Sequence, residues 1–210
     1  MSFADHRRPN ILLAALPLLL VSVLAYAGKE LQEQQKKTVA VEGQKLIVIT
    51  NTRGKTIVVG ERGAKTVTIV ANKLVQAKNA ESARRIMEQV QFDVEMDGDK
   101  IAVTSKLPDS GKDDRSIWSV VKGGPGSRID FTIEIPSEFD VHTFTTSGDV
   151  HVTNVEGIAR INATSGDVLL RDIGGSSVID LTSGGIEVIE IGGDLHIAAS
   201  SGDAEIKRVK

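Results

Sequence analysis

Apolar and polar positions alternate most regularly in the last third of the chain, inside units of nine residues. Counting each unit so that its glycine stands third, the seventh position reads Val152, Ile161, Leu170, Ile179, Val188, Ile197 and Ile206. The fifth reads Val150, Ala159, Val168, Ser177, Ile186, Leu195 and Ala204, small or apolar throughout. The sixth, between them, is mixed: His151, Arg160, Leu169, Val178, Glu187, His196 and Glu205. A period of two with one apolar side marks a strand with one buried face. Glycine closes each strand, at seven successive ninefold positions from Gly148 to Gly202. A tight corner often needs a positive φ, which residues with side chains reach only at a cost.

Alternate units differ in character. Thr146-Ser147-Gly148-Asp149 returns as Thr164-Ser165-Gly166-Asp167, as Thr182-Ser183-Gly184-Gly185 and as Ser200-Ser201-Gly202-Asp203, while Gly157, Gly175 and Gly193 fall halfway between. Two nine-residue units therefore make one eighteen-residue turn. The predicted fold is all-β: a single-stranded parallel β-solenoid (β-helix) with coils of about 18 residues, right-handed, plus one short amphipathic helix. A lone coil does not bury its apolar side. Each inward Val or Ile gains about 1.5–3 kcal/mol on burial, against about 1–2 kcal/mol of backbone entropy per ordered residue, so stacking is obligatory.

The pattern upstream is weaker. Strand signals begin at Leu46–Ile49 and Thr56–Val59, with Gly54 and Gly63 nine apart, and continue through Val67, Ile69 and Ala71. Residues 79–90 break the trend: Ala83, Ile86, Met87 and Val90 follow helical spacing behind Asn79 as N-cap. This helix is expected to pack on the solenoid and cover its N-terminal end. Phe92–Met96 and Ile101–Val103, joined by Asp97-Gly98-Asp99, read as a hairpin. Residues 107–127 form an irregular loop carrying Trp118; a strand ends at Pro136, and regular coils run over 141–210. The repeat breaks off one residue short of the next glycine, so the last coil is expected to present an edge that continues in further chain or pairs with something else.

The N-terminus adds a compartment. His6, Arg7 and Arg8 precede the apolar run Ile11–Leu24, and Ala25-Tyr26-Ala27 supplies a small-x-small cleavage site. Residues 1–27 read as a signal peptide, 28–44 as a polar linker and 45–210 as the β-solenoid domain. The protein is expected to be exported, to the periplasm, the cell surface or beyond, touching membrane only through this segment if it stays uncleaved. There is no cysteine, so neither a lipid-modified cysteine nor a disulfide is available. Without its leader the chain carries 27 acidic and 23 basic residues, a balance with no nucleic-acid footprint.

Candidate chemistry is sparse, and no cofactor is expected. Asp149 and Asp167 fall on adjacent coils, where each either accepts corner N–H groups or shares a cation such as Ca²⁺ with its neighbour. Gly185 interrupts that column. His142 and His196 share a column three coils apart, and His151 lies on the opposite sheet, too scattered for one zinc. Gly54-Lys55-Thr56 has Ile49 where a phosphate-binding loop needs its first glycine. Trp118, alone on a polar loop, is the candidate contact residue for a sugar or a protein partner, or else a plug for the core.

The strand ending at Pro136, the Thr-Ser-Gly-Asp-Val and glycine steps from Thr146 to Ala204, and the order strand, helix, hairpin resemble the bacterial putative-adhesin family over residues 41–210. That resemblance implies a β-solenoid at the cell envelope with an adhesion or scaffolding role, and it supplies no catalytic residues. The reading is a non-enzymatic binding module whose partners are envelope polysaccharide, another protein, or a second copy meeting through solenoid edges. The alternative is a carbohydrate-active β-helix enzyme, which needs clustered carboxylates on one outer face.

Overall fold

A computed structural model describes residues 24–27, 30–108 and 126–210. In chain order the elements are β1 (Leu24–Ala27), β2 (Glu30–Ala40), β3 (Leu46–Arg53), β4 (Thr56–Glu61), β5 (Thr66–Gln76), α1 (Ala80–Gln89), β6 (Gln91–Asp97), β7 (Lys100–Lys106) and β8 (Ser127–Pro136). The repeat region follows as β9 (Asp140–Ser147), β10 (Val150–Val155), β11 (Ala159–Ser165), β12 (Val168–Ile173), β13 (Ser177–Ser183), β14 (Ile186–Ile191), β15 (Leu195–Ser201) and β16 (Ala204–Val209).

The alternation does what it promises locally. In β3 the inward side chains Ile47 and Ile49 are fully buried, and in β12 so are Val168 and Leu170. From β9 onward each strand lies on the strand eighteen residues away: Val152 pairs with Leu170, Leu170 with Val188 and Val188 with Ile206. On the other sheet Ile161, Ile179 and Ile197 form the matching row.

The whole is nevertheless not a single-stranded parallel β-solenoid, and that expectation is corrected. The strands form two mixed sheets, ordered β1-β2-β5-β8-β4-β10-β12-β14-β16 and β15-β13-β11-β9-β3-β7-β6. Pairing is antiparallel between β1 and β2, β2 and β5, β5 and β8, and β6 and β7. Chain order and spatial order also part company. Val58 of β4 pairs with Val152 of β10, 94 residues later, while β8 enters between β4 and β5. The physical reason is that a period of two assigns each side chain a face but leaves the neighbour and its direction open. Only a fixed spacing between like residues specifies the neighbour, and that spacing exists from β9 onward.

α1 behaves as its sequence predicts. The Asn79 side-chain oxygen accepts the Ser82 N–H at 2.8 Å, and Ala83 and Met87 are buried against β5 and β2. The polar stretch read as linker lies mostly in β2, whose eleven residues pair with β5 throughout. Between the buried Leu31 and Val39 its inward face is correspondingly polar. Lys73 of β5, 1% exposed, stands 3.5 Å from Glu33, and Lys37 donates to the Phe92 carbonyl at 3.1 Å with its ammonium 4.3 Å from that ring's centre. Burial depresses both lysine pKa values. Phe92 in turn meets Phe131 edge-on at 5.5 Å. The core thus grades from an aromatic, charged end under α1 to a mainly aliphatic stack of coils, which also buries the hydroxyls of Thr143, Thr145 and Ser177. Residues 1–23 of the expected signal peptide lie outside the described residues, and no helix among the described ones is long and apolar enough to cross a membrane.

Candidate functional site

Strands of the seven-stranded sheet turn polar and small side chains outward in register. β9 presents His142, Phe144 and Thr146; β11 adds Arg160, Asn162 and Thr164, and β13 adds Val178, Asp180 and Thr182. Between the second and third of these columns runs a groove of about 730 Å³, continued by Thr50 and Thr52 on β3 and by Ala198 and Ser200 on β15. Five strands spaced ~4.8 Å apart make it about 19 Å long. One wall is a file of hydroxyls, Thr52, Thr146, Thr164, Thr182 and Ser200. The other carries Asn162, Asp180 and the Phe144 ring, 44% exposed. Its chemistry is hydrogen bonding with one carboxylate and one aromatic face.

The corners beside the groove hold it in shape. Asn51 is fully buried, and its amide donates to the Gly54 carbonyl, the Thr56 hydroxyl and the Ile129 carbonyl at 3.0–3.2 Å. It thereby ties β3 to β4 and β8. At the next corners the carboxylates climb the stack. The Asp149 carboxylate accepts the Asp167 N–H at 3.1 Å, and the Asp167 carboxylate accepts the Gly185 N–H at 2.8 Å. Asp130 and Asp140 make the same kind of bond to Lys55 and Ile158. Asp149 and Asp167 are thus engaged as acceptors for corner amides. Among the described residues no three His, Asp or Glu side chains gather where they could hold a metal ion.

A second hollow, of about 910 Å³, lies at the far ends of β4, β10, β12, β14 and β16. Here the chain places one residue per coil in the left-handed region: Asn154, Asp172, Glu190 and Arg208, with φ between 55° and 62°. Each is skipped by the ladder, and each costs about 1–2 kcal/mol of backbone strain. Arg208 pairs with Glu190 at 2.5 Å and Arg62 with Glu156 at 3.0 Å, so most charge there is already matched. Asn154 and Asp172 were legible as left-handed candidates; Glu190 and Arg208 carry no such signal.

The histidines stand where register places them, His142 in file with Arg160, Val178 and His196, and His151 on the other sheet. Burial lowers the pKa of both His142 and His151, helped by Arg160 and Lys55 respectively, and opposed by Asp140 for the first and by Asp149, Asp167 and Glu187 for the second. A folded-state pKa below the unfolded value favours the neutral form. The stability that follows is fully present above about pH 6.5 and is lost as pH falls through the lower folded values. Thermal melts from pH 7.5 to 5 should show a falling Tm in the wild type and a flatter curve in H142Q/H151Q; parallel curves refute the assignment. Gly54-Lys55-Thr56 forms the β3–β4 corner, with the Lys55 N–H held by Asp130. Trp118 lies outside the described residues. The groove itself was not foreseen, although its files recur every eighteen residues in the sequence.

No family model matches the sequence, and no curated protein matches it. The fold does have a solved counterpart. A crystal structure named a "putative cell adhesion protein", from Clostridium sporogenes, superposes with a TM-score of 0.54 at 10% identity, covering 85% of this chain and 100% of that one. Proteins named "putative adhesin" from Bacteroides fragilis and Parabacteroides distasonis align at TM-scores of 0.27 and 0.31 with 12% and 11% identity, covering 84% and 82% of this chain and 97% and 78% of theirs. At 10% identity the likeness to the Clostridium sporogenes protein is one of fold, and the names of these neighbours agree with the resemblance read from the repeat.

Proposed function

We propose that the chain is a non-enzymatic binding module, exported to the bacterial cell envelope, with the groove of the seven-stranded sheet as its contact surface. One observation carries the reading: a file of hydroxyls about 19 Å long, one per strand, facing Asn162, Asp180 and an exposed Phe144 on the second of the five strands. Such a surface matches an extended ligand with regularly spaced polar groups, and an aromatic face supplies an apolar contact for a sugar ring or a side chain. The N-terminal basic–apolar–Ala25-Tyr26-Ala27 pattern supports export, and the fold shared with a protein named for cell adhesion supports the role. Among the described residues, Asp180 is the one carboxylate lining the groove, whereas acid–base work on a glycosidic bond ordinarily takes a pair.

The test is co-sedimentation of the purified chain with an envelope fraction and its isolated polysaccharide. The wild type should bind; F144A and N162L, both outward and distant from the core, should weaken binding about tenfold or more with an unchanged circular dichroism spectrum. Equal binding by wild type and both variants removes the groove from the account, and no binding to any fraction removes the function.

A further inference from the structure

We propose that the ligand of the groove is an uncharged, extended β-linked polysaccharide, lying along the stack with one sugar to each strand. The inference rests on the reading of the groove as the contact surface, and names what that surface takes.

Spacing selects the kind of polymer. Ala163 pairs with Thr145 and Leu181, and Ser165 with Ser147 and Ser183, so Thr146, Thr164 and Thr182 between them stand in one file. Their strands are paired on both sides, β9 with β3 and β11, and β13 with β11 and β15. The file therefore repeats at the strand separation, ~4.8 Å. A bound polymer makes the same contact on every strand only if its own repeat is close to that distance. An extended peptide advances ~3.3 Å per residue and turns a side chain to one face every ~6.6 Å. It falls out of step with the file within two strands. A chain of pyranose rings joined through opposite sides of the ring advances by about one strand spacing per sugar. Each ring also carries hydroxyls that donate and accept, as the threonine hydroxyls do.

Charge selects among glycans. The opposite wall runs Phe144, Asn162, Asp180 across β9, β11 and β13, again in register. Among the described residues, Asp180 is the one charged side chain lining the groove; Arg160 and His142 stand one column further out and do not line it. An acidic polymer brings its negative groups to a carboxylate and meets no cation in the groove. An uncharged one brings hydroxyl donors to a group that only accepts. Phe144, exposed, offers a face for the C–H side of a ring, and the Asn162 amide beside it both donates and accepts. Asp180 is thus the residue that sets specificity against anionic glycans.

Isothermal titration calorimetry of the full chain tests this with β-1,4-linked glucose and N-acetylglucosamine oligosaccharides of two to about five sugars. A β-1,4-linked oligomannuronate and a serine–threonine peptide of matching length complete the set. At least one uncharged series should bind, more tightly with each added sugar and equally at low and high salt. T164V and F144A should each weaken it about fivefold or more, and D180N should tighten the oligomannuronate about fivefold. Three results overturn the inference: no binding by either uncharged series, tighter binding of the oligomannuronate or the peptide, or an affinity indifferent to chain length. The groove survives any of these as the contact surface if envelope binding still falls in F144A. Envelope binding that ignores F144A and N162L removes the reading and the inference together.

Discussion

Gly166→Ala is expected to prevent stable folding. Gly166 has φ +122°, and a methyl group there would lie 2.4 Å from the carbonyl oxygen of Gly148 and 2.6 Å from its carbonyl carbon. Both obstacles are backbone, and no rotamer relieves them. The same column runs from Gly54, seated on the Ile129 carbonyl, through Gly148, Gly184 and Gly202, each seated on the carbonyl of the glycine before. Forcing two coils apart breaks the ladder bonds on either side, so the loss should reach about 4 kcal/mol or more, at the extreme end for single substitutions. Gly185 is the control. Its added methyl would find only the Asp167 carboxylate, at 3.3 Å, and the equivalent position on neighbouring coils is already Asp149, Asp167 or Asp203. G185A should change the stability read from the denaturant midpoint by less than about 1 kcal/mol. Equal midpoints for G166A and wild type would show that the glycine column is not stacked.

The second large effect is Leu170→Ala. Leu170 is fully buried between Val152 and Val188, with coils on both sides to hold the cavity open. The expected cost is about 2–5 kcal/mol. Ile206→Ala in the same row should cost the single copy much less, under about 1 kcal/mol, since half of that side chain is already in water. The pair of urea midpoints, measured at low protein concentration, therefore reads the stack's depth directly. Similar losses at both positions would contradict the register.

These rows were legible because spacing and burial agree there. Val152, Leu170, Val188 and Ile206 are eighteen apart and inward, and each fact predicts the other. The helix was legible too, since Asn79 caps it and Ala83 and Met87 share its buried side. The order of the remaining strands was hidden. Val67, Ile69 and Ala71 announce a strand with one apolar face, yet nothing in that face says that β8 will lie alongside it in the opposite direction. β2 was obscured for another reason. Its inward Glu33, Gln35 and Lys37 look like a solvated linker, and only Lys73, Phe92 and α1, all distant in sequence, make that polarity tolerable indoors. The groove depends on the outer columns of five strands at once, and one of them, β3, is 94 residues out of step with the repeat.

That displacement also bears on how the chain is made. During synthesis each of the last coils finds its neighbour as soon as eighteen more residues have emerged. β3 can meet β7, and β4 can meet β8, earlier than that, but their remaining edges wait for β9 and β10 until roughly residue 155 has left the ribosome. Long-range closure of this kind is slow and exposes sticky segments meanwhile. The nascent chain is therefore a natural client for a holding chaperone through its first three quarters, after which the structure completes itself by local accretion.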